Sequence, residues 1–420
     1  VYMPYGGRYQ LTPTQSMVAK LPVLKGKTDT VTMMSYGFDP ELSSWSPYHG
    51  AAWAVIDSVA KIAAAGGDCG KIRFTFQEYF KRMTADASRW GQPFAALLGA
   101  YAAQMGLGLP SIGGKDSMSG TFDDENGEIN VPPTLVSFAV DVDSSSHVIT
   151  PEFKKAGSKI VVYCAPRDSW DLPEYGTILE DYGKLRRDIL DGTIISAYAV
   201  ERFGWAEAVS KMAFGNKLGV KIEHDVDPRD FFAPGWGGLV CEVPDGMVGK
   251  LSITYRVIGE VTQDGTFSYG NVTIPVEEAL EHWTKTLESV FPTGTGQEKK
   301  GEEAALPEQL YRTDAVYICD HKVGAPRVFI TVFPGTNCEY DSTKAFERAG
   351  ALVTTQVFRN LSARDIRQSA ENYCREIEKA QIVMFPGGFS AGDEPEGSAK
   401  FFSAVLRSPE VKEAIHRLLD

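Results

Sequence analysis

Cysteine is sparse in the 420 residues. Cys69, Cys164, Cys241, Cys319, Cys338 and Cys374 stand far apart and never form a C-x-x-C pair. That spacing excludes a zinc ribbon and offers no disulfide frame, so reduced thiols in a cytoplasmic protein are expected. Long apolar runs are missing too, and the first residues have neither the basic nor the apolar region of a signal peptide, so no membrane partner is expected. Positive charge is in deficit: 42 Lys and Arg face 55 Asp and Glu, for a net charge of −13. A general nucleic-acid or anionic-surface binder is excluded by repulsion, whereas a small phosphate needs only a local nest of amides and one or two cations. The G-x-x-x-x-G-K-[ST] loop is absent. So is an initiator methionine: Val1-Tyr2-Met3-Pro4 reads as mid-domain sequence, as expected of a processed chain or a piece of a longer one.

What is present is enough apolar material, 43%, to bury sizeable cores. The length suggests roughly two to four domains. Residues 1–150 mix helix and strand signals. Ala51 to Ala65 puts Val55, Val59 and Ile62 on one face before Gly66-Gly67, and Phe94 to Met105 repeats the period. A short extended Pro110-Ser111-Ile112 follows, then a strand over Leu135 to Val142. Residues 151–291 form a second block, with strands predicted over Lys159 to Ala165, Gly237 to Val243 and Tyr255 to Val261, and a helix over Trp205 to Leu218. Together these suggest α+β units with helices gathered over a sheet. Residues 292–325 are polar and glycine-rich in their first part, the texture of a linker. Residues 326–420 alternate strands (Val328 to Phe333, Leu352 to Phe358, Gln381 to Phe385) with helices (Asp341 to Ala349, Ser362 to Glu378). That order predicts a parallel, doubly wound sheet with ligands at the carboxyl ends of its strands.

Three motifs carry candidate chemistry. Pro386-Gly387-Gly388-Phe389-Ser390-Ala391-Gly392-Asp393 follows a strand, and its amides either stabilise an oxyanion or merely turn the chain. Phe333-Pro334-Gly335-Thr336-Asn337-Cys338-Glu339 follows the first strand of the same block. Gly113-Gly114-Lys115-Asp116-Ser117 is either a phosphate site, with Asp116 as a Mg²⁺ ligand or a partner for Lys115, or a turn with a solvated ion pair.

The pair P-G-T-N-C-E-x-D and P-G-G-F-S-x-G-D resembles the opening of the glutamine amidotransferase domain of phosphoribosylformylglycinamidine synthase. G-G-K-D-S, Gly6-Gly7-Arg8-Tyr9-Gln10 and Trp45-Ser46-Pro47-Tyr48-His49-Gly50-Ala51 resemble the second of that synthase's two aminoimidazole-ribonucleotide-synthetase-like halves. The likeness spans nearly the whole chain, in the family's order. It implies α/β and α+β architecture: synthetase-like α+β domains followed by an incomplete flavodoxin-like parallel-sheet amidotransferase domain. It also implies a ligase of purine biosynthesis that uses ATP, Mg²⁺, glutamine and formylglycinamide ribonucleotide, with an N-terminal synthetase-like half lying outside these residues. Gly387, Gly388 and Phe389 would belong to the oxyanion loop; Gly335, Asn337 and Cys338 to the early glutaminase motif; Gly113 to Ser117 to a nucleotide site. Cys338 does not match the family's nucleophile. No cysteine here stands in G-x-C-x-G, so no catalytic residue is assigned and no glutaminase activity is expected of these residues alone.

Two departures stand out. The family's metal-facing E-x-x-x-N helix pair corresponds to Asp57 and Lys61, and its H-D-x-S-D-G-G turn to Ala199-Val200-Glu201-Arg202-Phe203-Gly204-Trp205. An ammonium where a metal ligand should stand implies that the nucleotide site within this half has become structural, with Glu201 or Glu207 the residues left to compensate. His49, Arg8, Arg73 and Trp236 are read as turn, surface or core residues. The alternatives are a stand-alone aminoimidazole ribonucleotide synthetase-like enzyme and a non-catalytic scaffold half.

Overall fold

The computed structural model describes residues 1–23, 26–125, 127–292, 320, 322–387 and 400–419. It divides into two units, Val1–Glu298 and Lys299–Asp420. Among the described residues no helix is long and apolar enough to cross a membrane.

The first unit holds two large sheets besides two small two-stranded ones. Strands β1 (Ser16–Lys20), β2 (Thr30–Gly37), β3 (Arg73–Tyr79), β4 (Ser111–Lys115) and β5 (Thr134–Ser144) make a five-stranded sheet in the order β1-β2-β5-β3-β4. Only β3 and β4 pair in parallel. Along β5 alternate residues from Leu135 to Asp141 are buried, the period a one-faced sheet requires. Helix α1 (Pro47–Ala64) starts on Ser46, whose side chain accepts from the His49 amide, with Pro47 in the first turn. From Gly50 to Ala64 every residue of α1 is buried. A helix covered on all sides is a core helix, and α1 has a sheet on either side of it.

The second sheet explains that cover. It comprises β6 (Lys159–Tyr163), β7 (Ser196–Ala199), β8 (Gly219–Ile222), β9 (Leu239–Val243), β10 (Arg256–Thr262), β11 (Thr266–Tyr269) and β12 (Val272–Pro275), in the order β7-β9-β6-β10-β8-β11-β12. Val161 and Tyr163 of β6 enter the core around α1, while Ile160 and Val162 point into a second core with Trp205 and Met212. Those last two lie on α4 (Gly204–Phe214); α3 (Tyr175–Leu190) covers the first face through Ile178, Tyr182 and Leu185.

The predicted helix at 94–105 runs instead as α2 (Ala87–Leu107). Pro93 lies inside the helix, whose start is set by the Asp86 cap. The extended stretch expected at 110–112 continues through Gly113 and Gly114 into β4. A Cβ at Gly114 would lie 2.5 Å from the Phe76 carbonyl oxygen, so the glycine lets this edge strand approach β3.

In the second unit β13 (Arg327–Val332), β14 (Leu352–Val357) and β15 (Ile382–Met384) form a parallel sheet in the order β14-β13-β15. Helices α6 (Glu339–Arg348) and α7 (Ala363–Lys379) connect them, and α7 is capped by Ser362 as its sequence suggests. Phe329, Phe333, Phe358 and Tyr373 lie at the centre of its core.

Helices α1 and α2 cross closely at Gly99, where a Cβ would lie 2.1 Å from the Tyr48 carbonyl oxygen. Gly99→Ala is therefore expected to destabilise the first unit by about 1–3 kcal/mol despite its higher helix propensity. The check is a lowered denaturation midpoint at unchanged slope.

Candidate functional site

The parallel sheet brings the two glycine motifs of the second unit together. Both leave carboxyl ends of neighbouring strands, β13 and β15. Tyr373, 1% exposed, ties β13 to β14 near their carboxyl ends: its hydroxyl accepts from the Val332 amide at 3.1 Å and donates to the Gln356 carbonyl at 3.0 Å. Gly335, at φ 90°, turns the first loop, and the Thr336 hydroxyl accepts from the Phe333 amide at 3.0 Å. The Asn337 amide then donates to the Gly387 carbonyl at 3.4 Å. A Cβ on Gly387 would lie 3.7 Å from the Cys338 sulfur. Gly335, Asn337, Cys338 and Gly387 thus share one corner, while Gly388 and Phe389 lie outside the described residues. The Cys338 thiol is exposed and donates to the Asn337 side-chain oxygen at 3.2 Å.

In the first unit, Gly113 and Gly114 are extended within β4 and all five residues of that strand are exposed. The turn of inward amides expected there is not the local geometry. Lys115 Nζ donates to the Asp116 carbonyl at 3.1 Å, and the Ser117 carbonyl accepts from the Phe80 amide at 2.9 Å. Sequence reasoning missed Glu78, the second-last residue of the neighbouring strand, at 8% exposure. Burial, and then the Asp116 carboxylate, push the Glu78 pKa up to about 7. The only hint of it in sequence was an acidic residue in a strand that otherwise alternates.

Asp57 and Lys61 are brought together with Glu201. Lys61 Nζ lies 2.8 Å from Asp57 Oδ2 and 2.7 Å from Glu201 Oε1, and the Lys61 and Asp57 side chains are each 3% exposed. The ammonium also donates to the Tyr36 carbonyl at 2.9 Å. Burial raises the Asp57 pKa to about 7 against the opposing pull of Lys61. Burial works against the charged lysine as well, but Asp57 and Glu201 outweigh it and hold the ammonium above its ordinary value. Glu207 pairs with Lys211 instead, Val200 is fully buried, and Phe203 is exposed. The ammonium occupies the space between the carboxylates, so this donor set does not fit a divalent ion.

The smaller candidates make the following contacts. His49 Nδ1 meets Ser46 Oγ at 2.8 Å and its Nε2 meets the Trp170 carbonyl at 3.0 Å. Arg73 donates to the Lys71 and Ile72 carbonyls, and the Arg8 guanidinium lies over Tyr9. Trp236 packs half-buried against the first core.

Two substitutions test these electrostatics. Lys61→Met is expected to cost about 3–5 kcal/mol above pH 7, where the buried Asp57 and the partly exposed Glu201 lose their counter-charge. The loss should shrink on acidification, because protonated Asp57 no longer needs the ammonium; chemical denaturation at several pH values measures it. Glu78 holds its proton up to about 7 when folded, against a reference of 4.5, so its ionisation removes stability as pH rises through that window. Glu78→Gln should therefore gain about 1 kcal/mol above pH 7, after allowing for the water that still reaches the carboxylate, and nothing near pH 4.

Comparison with known proteins places these features. Residues 325–420 match the model of the CobB/CobQ-like glutamine amidotransferase domain. The phosphoribosylformylglycinamidine synthase subunit PurQ of Campylobacter jejuni is 42% identical over 67 residues, covering 16% of this chain and 23% of that protein. The PurQ subunit of Methanococcus maripaludis is 31% identical over 83 residues, covering 20% of this chain and 27% of its own length. The chain thus spans about a quarter of the curated relatives it matches. Among solved structures, PurLQS from Thermotoga maritima aligns with TM-score 0.50 and 14% identity over 66% of this chain and 50% of its own, a likeness of fold. These matches bear out the resemblance to phosphoribosylformylglycinamidine synthase: residues 325–420 match a CobB/CobQ-like glutamine amidotransferase domain, and about two thirds of the chain shares a fold with PurLQS.

Proposed function

We propose that these residues are part of an ATP- and glutamine-dependent C–N ligase that converts formylglycinamide ribonucleotide to formylglycinamidine ribonucleotide in cytoplasmic purine biosynthesis. The observation that carries this reading is the shared corner of Gly335, Asn337, Cys338 and Gly387 at the carboxyl end of a parallel sheet. In this reading ATP activates the substrate's amide oxygen as a phosphate ester of the imidate. Ammonia from glutamine adds to that carbon, phosphate leaves with the oxygen, and the products are the amidine, ADP and phosphate.

Residues 1–150 and 151–291 would be the two domains of a second synthetase-like half, 292–325 a linker, and 326–420 the opening of the amidotransferase domain. Gly387, with Gly388 and Phe389, would present amides to the oxyanion formed on the glutamine carboxamide. Gly113, Gly114, Lys115 and Ser117 would lie along the nucleotide's phosphates. Asp116, with Glu78 behind it, would hold Mg²⁺, which supplies charge neutralisation to those phosphates. The partner implied is an N-terminal synthetase-like half that completes the nucleotide site; nucleic acid and membrane are not partners, given the net charge of −13.

One observation favours a second reading for the first unit alone. The Lys61 ammonium between Asp57 and Glu201 suits a half that binds and braces an active half without its own metal cluster.

The test is ATP- and glutamine-dependent amidine formation by the full-length protein containing these residues. Cys338→Ser should leave glutamine-dependent turnover within about threefold, because a supporting thiol is not the nucleophile. A loss approaching the whole rate would assign the attack to Cys338, and absence of amidine formation in the unaltered protein would remove the ligase reading.

A further inference from the structure

A cleft of about 370 Å³ opens in the first unit away from both Lys115 and Lys61, a size suited to a small molecule. Cys164, Arg167, Trp205, Asp230, Trp236 and Arg256 line it, together with the turn at 233–238. Two guanidiniums face one carboxylate there, a positive balance in a chain whose net charge is −13.

The two arginines are held differently. Arg256 is engaged, donating to the Asp225 carbonyl at 2.6 Å and lying 3.4 Å from Asp230. Arg167 lies over the Trp53 ring at 4.7 Å and pairs with no carboxylate among the described residues. Stacking fixes the plane of a guanidinium while leaving its edge N–H groups to grip an anion in bidentate fashion.

The turn adds donors. Its Gly235 amide is tied to the Glu201 carbonyl at 3.1 Å, and its Gly238 amide to the Gly235 carbonyl at 2.9 Å. The amides of Trp236 and Gly237 find no acceptor among the described residues. Gly237, at φ 78°, sits so close to the core that a Cβ would lie 2.7 Å from Ile56, so the turn is pinned in place. Guanidinium and amide donors beside indole faces suit a ligand with a phosphate at one end and a π-face at the other.

We propose that this cleft binds a small phosphomonoester carrying a flat ring, with Arg167 taking the phosphate and the indoles of Trp205 and Trp236 taking the ring. Cys164 supplies a built-in reporter. It is open to solvent; burial raises its pKa, while Arg167 opposes that rise, Asp230 adds to it and Arg256 opposes it, which places all three charges around the thiol.

The experiment alkylates the whole chain with iodoacetamide at mildly alkaline pH and follows Cys164 by peptide mass spectrometry. AMP, adenosine and inorganic phosphate serve as probes, and the exposed Cys338 as the control. AMP at saturation should slow Cys164 alkylation at least about fivefold and leave Cys338 unchanged. Adenosine and phosphate should each protect far less. Arg167→Ala, a change at an exposed side chain, should abolish the protection, whereas Lys115→Ala should keep it. Equal protection by adenosine, protection surviving in Arg167→Ala, loss in Lys115→Ala alone, or AMP binding by calorimetry without protection of Cys164 would each overturn the proposal. None of these outcomes depends on ligase activity, so the two readings fail separately.

Discussion

A single ammonium inside a fully buried helix sets the organisation of the first unit. Lys61 cannot stay charged at 3% exposure without partners, and its partners come from three places: Asp57 one turn back on α1, the Tyr36 carbonyl in β2, and Glu201 beyond β7. Helix and both sheets are thereby tied at one point. The Glu201 carbonyl also anchors the Gly235 amide, so the turn bordering the arginine-lined cleft is fixed from the same residue. Gln15 adds to the tie: its side chain accepts from the Ala199 amide at 2.7 Å and donates to Glu201 at 3.2 Å. The core cluster that runs from β2 and α1 to β6 and β9 then packs around a charged centre whose geometry is specified by hydrogen bonds rather than by shape alone.

The second unit reaches its site by a different constraint. Parallel strands joined by helices must all present their carboxyl ends on the same side, so two motifs some fifty residues apart in sequence meet without any special contact to bring them together. The remaining freedom is how level the strand ends stand. Tyr373 restricts it by bonding both β13 and β14 with one hydroxyl from within an aromatic core. Cys338 then sits between Asn337 and Gly387.

Periodicity carried most of the elements. The apolar face at Val55, Val59 and Ile62 located α1, the β-branched run at 159–163 located β6, and the strand–helix alternation after residue 326 gave the parallel sheet. It carried less where a local signal and its tertiary setting disagreed. The glycine pair at 113–114 reads as a turn yet lies extended against β3, because Gly114 removes the Cβ that would strike the Phe76 carbonyl. Of the candidate site residues, those after β13 and β15 were legible because strand order fixes where they go. Glu78, Arg167 and Cys164 were not, since nothing in their immediate sequence distinguishes them.

What the sequence by itself determined is therefore the class of each unit and the two glycine motifs, which depend on spacing along the chain, while the conflict at Asp57 and Lys61 is what the family resemblance implied. What only the tertiary structure decided is which charges share a space. Glu201 lies 140 residues from Lys61 in sequence and 2.7 Å away in the fold, and Arg167 rests on Trp53 of α1, more than a hundred residues before it. The physical reason is that burial and pairing are properties of the assembled core. A lysine on a helix reads as solvated until the sheets that close over it supply the carboxylate that keeps it charged.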